Sequence, residues 1–457
     1  MRAYYDSSSK TYRDERIMRY LTDDAKIKAW LRVESELAMA QAKVGLIPQL
    51  AATNIKERAK IENLDLAHME KVKEEIGHGF VPFVKELVRA CDEESGKYVH
   101  YGVTTQNIQQ TGQLLILRNI TVSFKQIIGE ILENYSRIAD EHAETVMAGR
   151  THGRHAIPIT FGYKTAVWIY ELMSAVEQLE EAEKRVFTVM MGGAVGAFNS
   201  MPSVGKEVQG LVAEALGMHE MKVPSRNYNS HKIEYISCLA QIANALHKFA
   251  EEVYYGGIEE FDEMQEAFKK GTVGSSTMPH KINPKLAKGI ITNASKLYSL
   301  IEPGLYSNVR LYEGDSSQYL LFDGLLDEAV ELMTEILIRA NALSHGLHVN
   351  VDRLYRNAMM NGGLDNAEHI MMELATIIGK DKAHSLMYEA AMKVKLEGAD
   401  FVTLLREEPL LKDQTDDYLK SLVLPENYIG LSPEIAREQA QLALEKSREL
   451  INLKTDL

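Results

Sequence analysis

A serine, a lysine and an asparagine stand close together in residues 274–284, a segment that also contains two prolines and follows Gly271. Ser275 can lose its proton if a nearby cation and oriented backbone amides stabilise the alkoxide. Lys281 and Asn283 can hold a substrate carboxylate. Because glycine and proline prevent a helix from continuing through the segment, we predict a loop that presents these side chains outward. A solvated Gly/Ser connector is the alternative interpretation.

Two histidines are flanked by glycines in other segments. His152 lies in residues 149–162, a stretch of polar side chains with three glycines, and His78 lies between Gly77 and Gly79. Histidine suits proton transfer because its ordinary pKa lies near neutrality. Each histidine also has a structural interpretation, as part of a polar turn or of a kinked helix end. The residue types predict an acid or a ligand contact at these places without deciding between the two interpretations.

Hydroxyl side chains stand at the start of a long helical pattern. Residues 98–107 read Tyr-Val-His-Tyr-Gly-Val-Thr-Thr-Gln-Asn, and the apolar spacing after them predicts a helix to about His142. Thr104 and Thr105 can cap this helix. A helix start with hydroxyls and unpaired backbone N–H groups can also bind a carboxylate. We therefore expect a carboxylate contact at this helix start.

The whole segment 274–284 resembles the signature of the fumarase/aspartase superfamily, and it is closest to the adenylosuccinate lyase and 3-carboxymuconate cycloisomerase branches. Residues 98–107 resemble the His-Tyr-Gly-x-Thr-Ser element of the adenylosuccinate lyases, with Thr105 in place of the serine. Residues 149–162 resemble the second signature, in which the histidine matching His152 is the general acid. The resemblance implies mostly helical homotetramers with active sites built from three subunits. It also implies β-elimination that releases fumarate, or the reverse cycloisomerase reaction.

The elements that position these segments are predicted to be helices. Long amphipathic patterns at about 163–190, 231–255 and 326–348 favour an all-α fold with a central helix bundle. We predict three helical domains, namely an N-terminal domain at 1–105, the bundle with its catalytic loop 271–284 at 106–349, and a small C-terminal domain at 350–457. The glycine-rich residues 192–197 resemble a turn of the adenylosuccinate lyases. They are interpreted as a turn and not a phosphate loop because no strand is predicted before them.

Composition and charge exclude several classes of function. A net charge of −14 argues against a general nucleic-acid or anionic-membrane surface. No apolar stretch is long enough to span a bilayer, and no signal-peptide pattern precedes the first helix. Cys91 and Cys238 are too few for a disulfide framework. The cytoplasm is therefore the expected compartment, and no motif indicates a cofactor or a metal.

Four departures from the adenylosuccinate lyase pattern concern the leaving group. The sequence has Gly79 where an aspartate that helps to hold the nucleotide is usual, and an arginine is missing from residues 312–315. The phosphate-binding arginine is absent from residues 317–323, and Lys288 replaces the glutamate that orients the acid histidine. A buried phosphate needs charged donors, for which Arg2 (with Tyr4 or Tyr5), Arg226 and Arg310 are candidates. Lys288 near His152 would lower the pKa of that histidine and weaken it as an acid.

We predict a lyase that forms fumarate by β-elimination, with a small dicarboxylate as substrate and adenylosuccinate as the first choice. The catalytic candidates are Ser275, His152 and Lys281, with Ser276 as the rival base. The substrate-binding candidates are His78, His100, Tyr101, Thr104, Thr105, Thr151, Ser276, Met278 and Asn283. The alternatives are a lyase for a non-nucleotide N-succinyl amine or amino acid, and a carboxymuconate-type cycloisomerase. A hypothesis of another class is a scaffold that has lost catalysis.

Overall fold

The computed structural model describes residues 13–268, 271, 275, 277–322, 324–455 and 457. The N-terminal helices are α1 (Glu15–Met18), α2 (Asp23–Lys43), α3 (Gln49–Arg58), α4 (Leu66–Ile76), α5 (Val81–Ala90) and α6 (Glu93–Gly96). The central helices are α7 (Thr105–Glu141), α8 (Phe161–Val186), α9 (Gly205–Ala215), α10 (Ser230–Gly256), α11 (Lys285–Ser299), α12 (Ile301–Ser307) and α13 (Leu325–His345). The C-terminal helices are α14 (Val351–Ala358), α15 (Ala367–Ile378), α16 (Lys380–Glu397), α17 (Phe401–Glu407), α18 (Asp416–Val423) and α19 (Ser432–Ile451).

Short elements complete the fold. Single 3-10 turns lie at Ile61–Asn63, Tyr319–Phe322, Leu364–Asn366 and Pro425–Tyr428. The strands are β1 (Val146–Thr151), β2 (Arg154–Thr160), β3 (Thr188–Val189), β4 (His219–Glu220), β5 (Met264–Gln265) and β6 (His348–Val349). They pair in twos: β1 with β2 and β5 with β6 run antiparallel, and β3 with β4 runs parallel. The prediction of a mostly helical fold is confirmed.

Helix α7 is the centre of the main core. It packs against α2, α8, α13 and α19, and its inward residues, such as Ile120 and Ile127, are fully buried. Burial of each such side chain contributes about 1.5–3 kcal/mol. An aromatic junction joins three helices, because Tyr135 of α7 lies 5.1 Å from Phe249 of α10 and 6.0 Å from Trp168 of α8 between ring centroids. The long helices therefore form the predicted bundle.

Residues 149–162 form a hairpin of β1 and β2 followed by the start of α8, where the sequence predicted only a polar turn. Gly149 lies at the irregularity between Ala148 and Arg150, and a Cβ there would stand 2.4 Å from the carbonyl oxygen of Ile157. A glycine is required at this position because the two strands approach so closely. The hairpin places its turn at His152 and Gly153.

The expectation that no strand precedes the glycine turn at 192–197 is wrong. Strand β3 ends at Val189, and it forms because Phe187 and Val189 accept backbone hydrogen bonds from the segment that contains β4. A two-residue strand has no sequence periodicity by which it could be predicted. The turn itself packs against α7, since the N–H of Gly193 donates to Asn107 Oδ1 at 3.1 Å.

The C-terminal region contains a second apolar core, formed by α15 to α18 around Ile370, Leu374, Phe401 and Leu419. Helix α19 leaves this core and packs along α7 and α8. Ser136 of α7 donates a hydrogen bond to the carbonyl of Ala440 at 2.7 Å. The domain boundaries near 105 and 350 stay predictions, and the last helix belongs by its contacts to the central bundle.

Among the residues that the structure describes, none of the helices combines the length and the apolar character needed to cross a membrane.

Candidate active site

The turn before α7 carries four of the predicted site residues. Thr104 is the N-cap of α7, and its N–H donates to Asn107 Oδ1 at 3.0 Å. Asn107 therefore holds both this turn and the neighbouring glycine turn, and it is fully buried. The helix begins at Thr105, so the hydroxyls of Thr104 and Thr105 stand at its N-terminal end, where the helix dipole favours an anion.

His100 lies in the same turn with a left-handed backbone, at φ 59°. Its Nδ1 atom lies 2.6 Å from Oε1 of Glu34, a carboxylate that is almost completely buried in α2. Because a carboxylate accepts, Nδ1 of His100 carries the hydrogen in this pair and Nε2 is turned away from it. Tyr101, the next residue, has an exposed side chain. Sequence reasoning did not identify Glu34, since nothing in α2 marks it as a partner.

His78 follows the C-terminus of α4, where Gly77 adopts the left-handed conformation at φ 64°. Its Nδ1 atom accepts hydrogen bonds from the N–H groups of Phe80 and Val81, both at 3.2 Å. Neutral His78 therefore carries its hydrogen on Nε2, which is available as a donor to a ligand. The predicted break of the helix at the two glycines is confirmed.

His78, Thr104 and Thr105 line one cavity of about 1020 Å³. Arg226, Lys232 and Arg310 supply positive charge to the same cavity. The nearby buried His231, by contrast, is no candidate acid: burial beside Lys232 lowers its pKa to about 3, so it stays neutral near pH 7. With Lys26, which also lines the cavity, the structure thus joins a helix N-terminus, a histidine donor and four cationic side chains in one place.

The cations of this cavity differ in their available donors. The guanidinium of Arg310 donates to the carbonyls of Arg226, Gly314 and Asp315, so it is largely occupied within the chain. Arg226 donates through Nε to Gln106 Oε1 at 3.0 Å and through Nη1 to Ala194 at 3.2 Å. Its Nη2 group takes part in neither bond. Arg2, Tyr4 and Tyr5, the other predicted phosphate contacts, lie outside the described residues.

Ser275 is half-buried, and its Oγ atom accepts hydrogen bonds from two backbone N–H groups. The N–H of Met278 lies 3.1 Å away and that of Thr277 lies 3.4 Å away. Two donors on one oxygen favour its ionised form, because hydrogen bonds to a charged group are stronger than those to a neutral group. The predicted support of a serine alkoxide by oriented amides therefore has a geometric basis. Ser276, the rival base, lies outside the described residues.

Lys281, Met278 and Asn283 follow on the same segment. Lys281 and Met278 are exposed and Asn283 is half-buried. The N–H of Lys281 donates to the carbonyl of Met278 at 3.0 Å, which forms a tight turn between them. Lys288 lies on the exposed side of α11. The ammonium and amide groups therefore lie on a surface segment just before α11.

Thr151 and His152 lie at the tip of the β1–β2 hairpin and are exposed. His152 adopts a left-handed conformation at φ 53°, followed by Gly153 at φ 71°. Below the tip, Arg150 makes a bidentate ion pair with the buried Glu263, at 2.5 and 3.0 Å. A second cavity, of about 1650 Å³, lies beside the hairpin and is lined by Gly153 and Glu263 among others.

The predicted site residues therefore lie in three places of the chain. Thr104, Thr105 and His78 share the first cavity, which neither His100 nor Tyr101 lines. The hairpin carries Thr151 and His152, and the loop carries Ser275 to Asn283. Neither cavity is lined by Ser275, Lys281 or His152. Among the described residues, no cluster of three or more His, Cys, Asp or Glu side chains is arranged to hold a metal.

Two family models match the chain. The model described as Lyase matches residues 6–297, and the model described as Adenylosuccinate lyase C-terminus matches residues 363–438. Adenylosuccinate lyase of Pyrococcus abyssi is 33% identical over 440 residues, which cover 96% of this chain and 97% of that protein. N-acetyl-S-(2-succino)cysteine lyase of Dickeya dadantii is 32% identical over 418 residues, which cover 90% of each chain.

Solved structures match at similar coverage. Fumarate lyase from Mesorhizobium sp. BNC1 has a TM-score of 0.85 at 27% identity, covering 95% of this chain and 99% of that chain. The 3-carboxy-cis,cis-muconate lactonizing enzyme from Pseudomonas putida has a TM-score of 0.83 at 26% identity, covering 96% and 98%. The resemblance drawn from the sequence segments thus extends over most of the chain.

Proposed function

The chain belongs to the fumarase/aspartase superfamily and is a carbon–nitrogen lyase of adenylosuccinate lyase-like function, and from that premise we propose that it cleaves an N-succinyl compound into fumarate and an amine. One observation carries the assignment of residues. Two backbone N–H groups point at Ser275 Oγ, on a segment that also presents Lys281. This arrangement suits a serine base that acts beside a carboxylate.

The first step is removal of a proton from the methylene carbon of the succinyl group. The Ser275 alkoxide takes this proton, and the electron pair of the broken C–H bond moves into the adjacent carboxylate to give an aci-carboxylate. Lys281 offsets the second negative charge on that group, and Asn283 orients it. Most of the reduction in barrier arises from this charge stabilisation.

The second step breaks the carbon–nitrogen bond. The electron pair of the aci-carboxylate returns to form the double bond of fumarate, and the nitrogen leaves with the bonding pair. His152 donates a proton to that nitrogen, so that an amine departs. His78, His100, Tyr101, Thr104, Thr105, Thr151 and Met278 are proposed to line the site around the succinyl group.

We propose a homotetramer in which each active site combines segments of several subunits. The support is that Thr104, His152 and Ser275 lie on separate segments of one chain, with His152 exposed and neither cavity containing all three. Symmetric association would bring different segments of neighbouring copies together. Mixed tetramers of Ser275→Ala and His152→Ala chains should then regain part of the activity that each variant lacks. An active monomer in sedimentation would contradict the proposal.

Adenylosuccinate is the first substrate to test, because the family model of residues 363–438 and several relatives are named for adenylosuccinate lyase. The chain would then serve purine biosynthesis. We place it in the cytoplasm, a reducing compartment, which agrees with two unpaired cysteines, Cys91 and Cys238.

A smaller succinyl adduct is the second candidate, and a specific observation favours it. Arg310 donates to three backbone carbonyls and Arg226 to two further acceptors, so the two arginines of the first cavity keep few donors for a phosphate dianion. Two relatives are named as lyases of N-acetyl-S-(2-succino)cysteine, a succinyl thioether without a phosphate. The same two steps apply to this class, with sulfur as the leaving atom.

The experiment compares four compounds with purified protein: adenylosuccinate, N-acetyl-S-(2-succino)cysteine, an N-succinyl amino acid and the lactone of 3-carboxymuconate. Fumarate is followed by its absorbance, and Ser275→Ala serves as the inactive control. We expect fumarate from at least one succinyl compound and from none with the control. Conversion of the lactone alone would replace the proposal with the cycloisomerase reaction.

A further inference from the structure

Two glutamates flank the short strand β5, and each contacts a different candidate catalytic segment. Glu263 is 2% exposed and accepts both hydrogen bonds of the Arg150 ion pair. Asn357 of α14 donates to the same carboxylate at 2.9 Å. Arg150 stands two residues before His152, so Glu263 fixes the hairpin directly below the proposed acid.

Glu266, on the other side of β5, contacts the start of α11. Its two carboxylate oxygens accept the N–H groups of Leu286, at 3.0 Å, and of Ala287, at 2.6 Å. The first turn of a helix has N–H groups without partners inside the helix, and Pro284 at the N-cap provides no side-chain acceptor. Glu266, which is distant in sequence, therefore caps the N-terminus of α11. This helix begins just after Asn283.

Strand β5 is itself held in place. It pairs with β6, and the carbonyl of Glu263 accepts the N–H of Asn350 at 2.9 Å. Met264 is 1% exposed and packs in the main core. Because the strand between the two glutamates is paired with β6 and anchored by the buried Met264, their carboxylates keep a fixed separation.

We propose that Glu263 and Glu266 are positioning residues. From the two ends of one strand they hold the His152 hairpin and the segment with Lys281 and Asn283 in fixed positions. The inference rests on the proposed function, since it takes these segments as the catalytic ones. Neither glutamate touches the substrate. Glu263 acts through Arg150 on the proton donor, and Glu266 acts through α11 on the groups that bind the carboxylate.

The surroundings of Glu266 separate this role from one of stability alone. Burial raises the pKa of Glu266, although backbone N–H groups and the charge of Arg339 oppose the shift. Burial thus disfavours the ionised form of Glu266, and Arg339 also bonds to Glu335 at 3.2 Å. A neutral glutamine at residue 266 weakens the cap on α11 but removes the cost of burying a charge, so the melting temperature should stay nearly unchanged.

The first experiment uses Glu266→Gln with Glu260→Gln as a matched control, an exposed glutamate on the same approach to β5. We expect kcat/KM to fall roughly ten- to a hundredfold for Glu266→Gln, with an unchanged melting temperature. Hydrogen exchange at residues 285–287 should become faster only in this variant. Unchanged exchange, or an equal loss of activity in the control, would overturn the role of Glu266.

The second experiment uses Glu263→Gln and compares substrates whose leaving groups differ in basicity. Protonation by an acid matters most when the leaving group is a basic amine. The decrease in kcat caused by Glu263→Gln should therefore be about tenfold larger for a basic leaving group than for a weakly basic one. Arg150→Lys, which keeps the charge but loses the bidentate pair, should give the same selectivity. An equal loss for all leaving groups would overturn the role of Glu263.

These results are separable from the proposed function. Measurements of hydrogen exchange and of the melting temperature need no turnover. They therefore test the cap on α11 even if the protein converts none of the succinyl compounds. Conversely, full activity of Ser275→Ala would contradict the proposed role of Ser275. Faster hydrogen exchange in Glu266→Gln would still support the positioning role of Glu266.

Discussion

Replacement of Ser275 tests the proposed base directly. The Oγ atom of Ser275 accepts a hydrogen bond from the N–H of Met278 at 3.1 Å and a longer one from the N–H of Thr277 at 3.4 Å. A hydrogen bond to a charged group contributes about 1.5–3 kcal/mol, so the pair stabilises the alkoxide by about 3 kcal/mol. At 1.36 kcal/mol for each pKa unit, this raises the ionised fraction of Ser275 about a hundredfold.

Ser275→Ala removes the base and should lower kcat by about a hundred- to ten-thousandfold. KM should change little, because the proposed carboxylate contacts belong to Lys281 and Asn283. The assay is fumarate release under saturating substrate, and Ser276→Ala is the matched control. If Ser276→Ala abolishes turnover and Ser275→Ala retains it, the assignment of the base is wrong.

Ser275→Cys provides a positive test of the same reasoning. A thiol ionises near pH 8.5 in water, so partial activity should return and rise with pH up to about that value. Alkylation by iodoacetamide should remove it. The native thiols do not interfere, because burial raises the pKa of both Cys91 and Cys238 to about 11. Activity of Ser275→Cys that neither follows pH nor responds to alkylation would refute the role of a base at this position.

Four further outcomes are expected. Gly129→Ala should destabilise the fold by about 1–3 kcal/mol in denaturant titration, because the new Cβ would stand 2.8 Å from Ile451 where α19 docks on α7. Glu34→Gln should lower kcat/KM about tenfold at neutral pH, because the partner of His100 loses its charge; unchanged kinetics would remove the pair from the site. Arg226→Gln should raise KM several-fold for an anionic leaving group and hardly for a neutral one, measured with matched succinyl substrates. His152→Gly should be about 1 kcal/mol more stable than His152→Ala in the same titration, the reverse of the order in a helix, because residue 152 has φ 53°.

The helices were predictable because their signal is long and periodic. Apolar residues of α7 recur at helical spacing over 37 residues, and helix α10 repeats the same pattern. The β1–β2 hairpin was missed because its strands are polar at one end and contain the bulge at Gly149. Strand β3 is held only by pairing with a distant segment, which leaves no local pattern. Strand pairing between segments that are distant in sequence therefore could not be predicted.

For the site, the sequence indicated the residue types and the structure supplied their partners. Ser275, His78 and Thr104 could be proposed as candidates because glycine, proline or a helix start adjoins each of them. Glu34, Asn107 and Glu263 could not, since each is a polar residue inside an otherwise ordinary element. Their roles depend on contacts with segments far away in the chain. Such partners become visible only once the helices are packed.

The backbone at the two proposed site histidines explains why these partners matter. His100 and His152 both have positive φ, a conformation that costs an ordinary residue about 1–2 kcal/mol relative to the right-handed region. Glycine would avoid this cost at either position, and the presence of histidine there agrees with the proposed use of both imidazoles. Strain of this kind persists only where neighbours hold the residue. Glu34 does so for the ring of His100, and the Arg150–Glu263 pair does so for the hairpin beneath His152. Buried carboxylates therefore support both strained positions, with Glu34 in direct contact with the imidazole of His100 and Glu263 acting on the backbone of the His152 hairpin through Arg150.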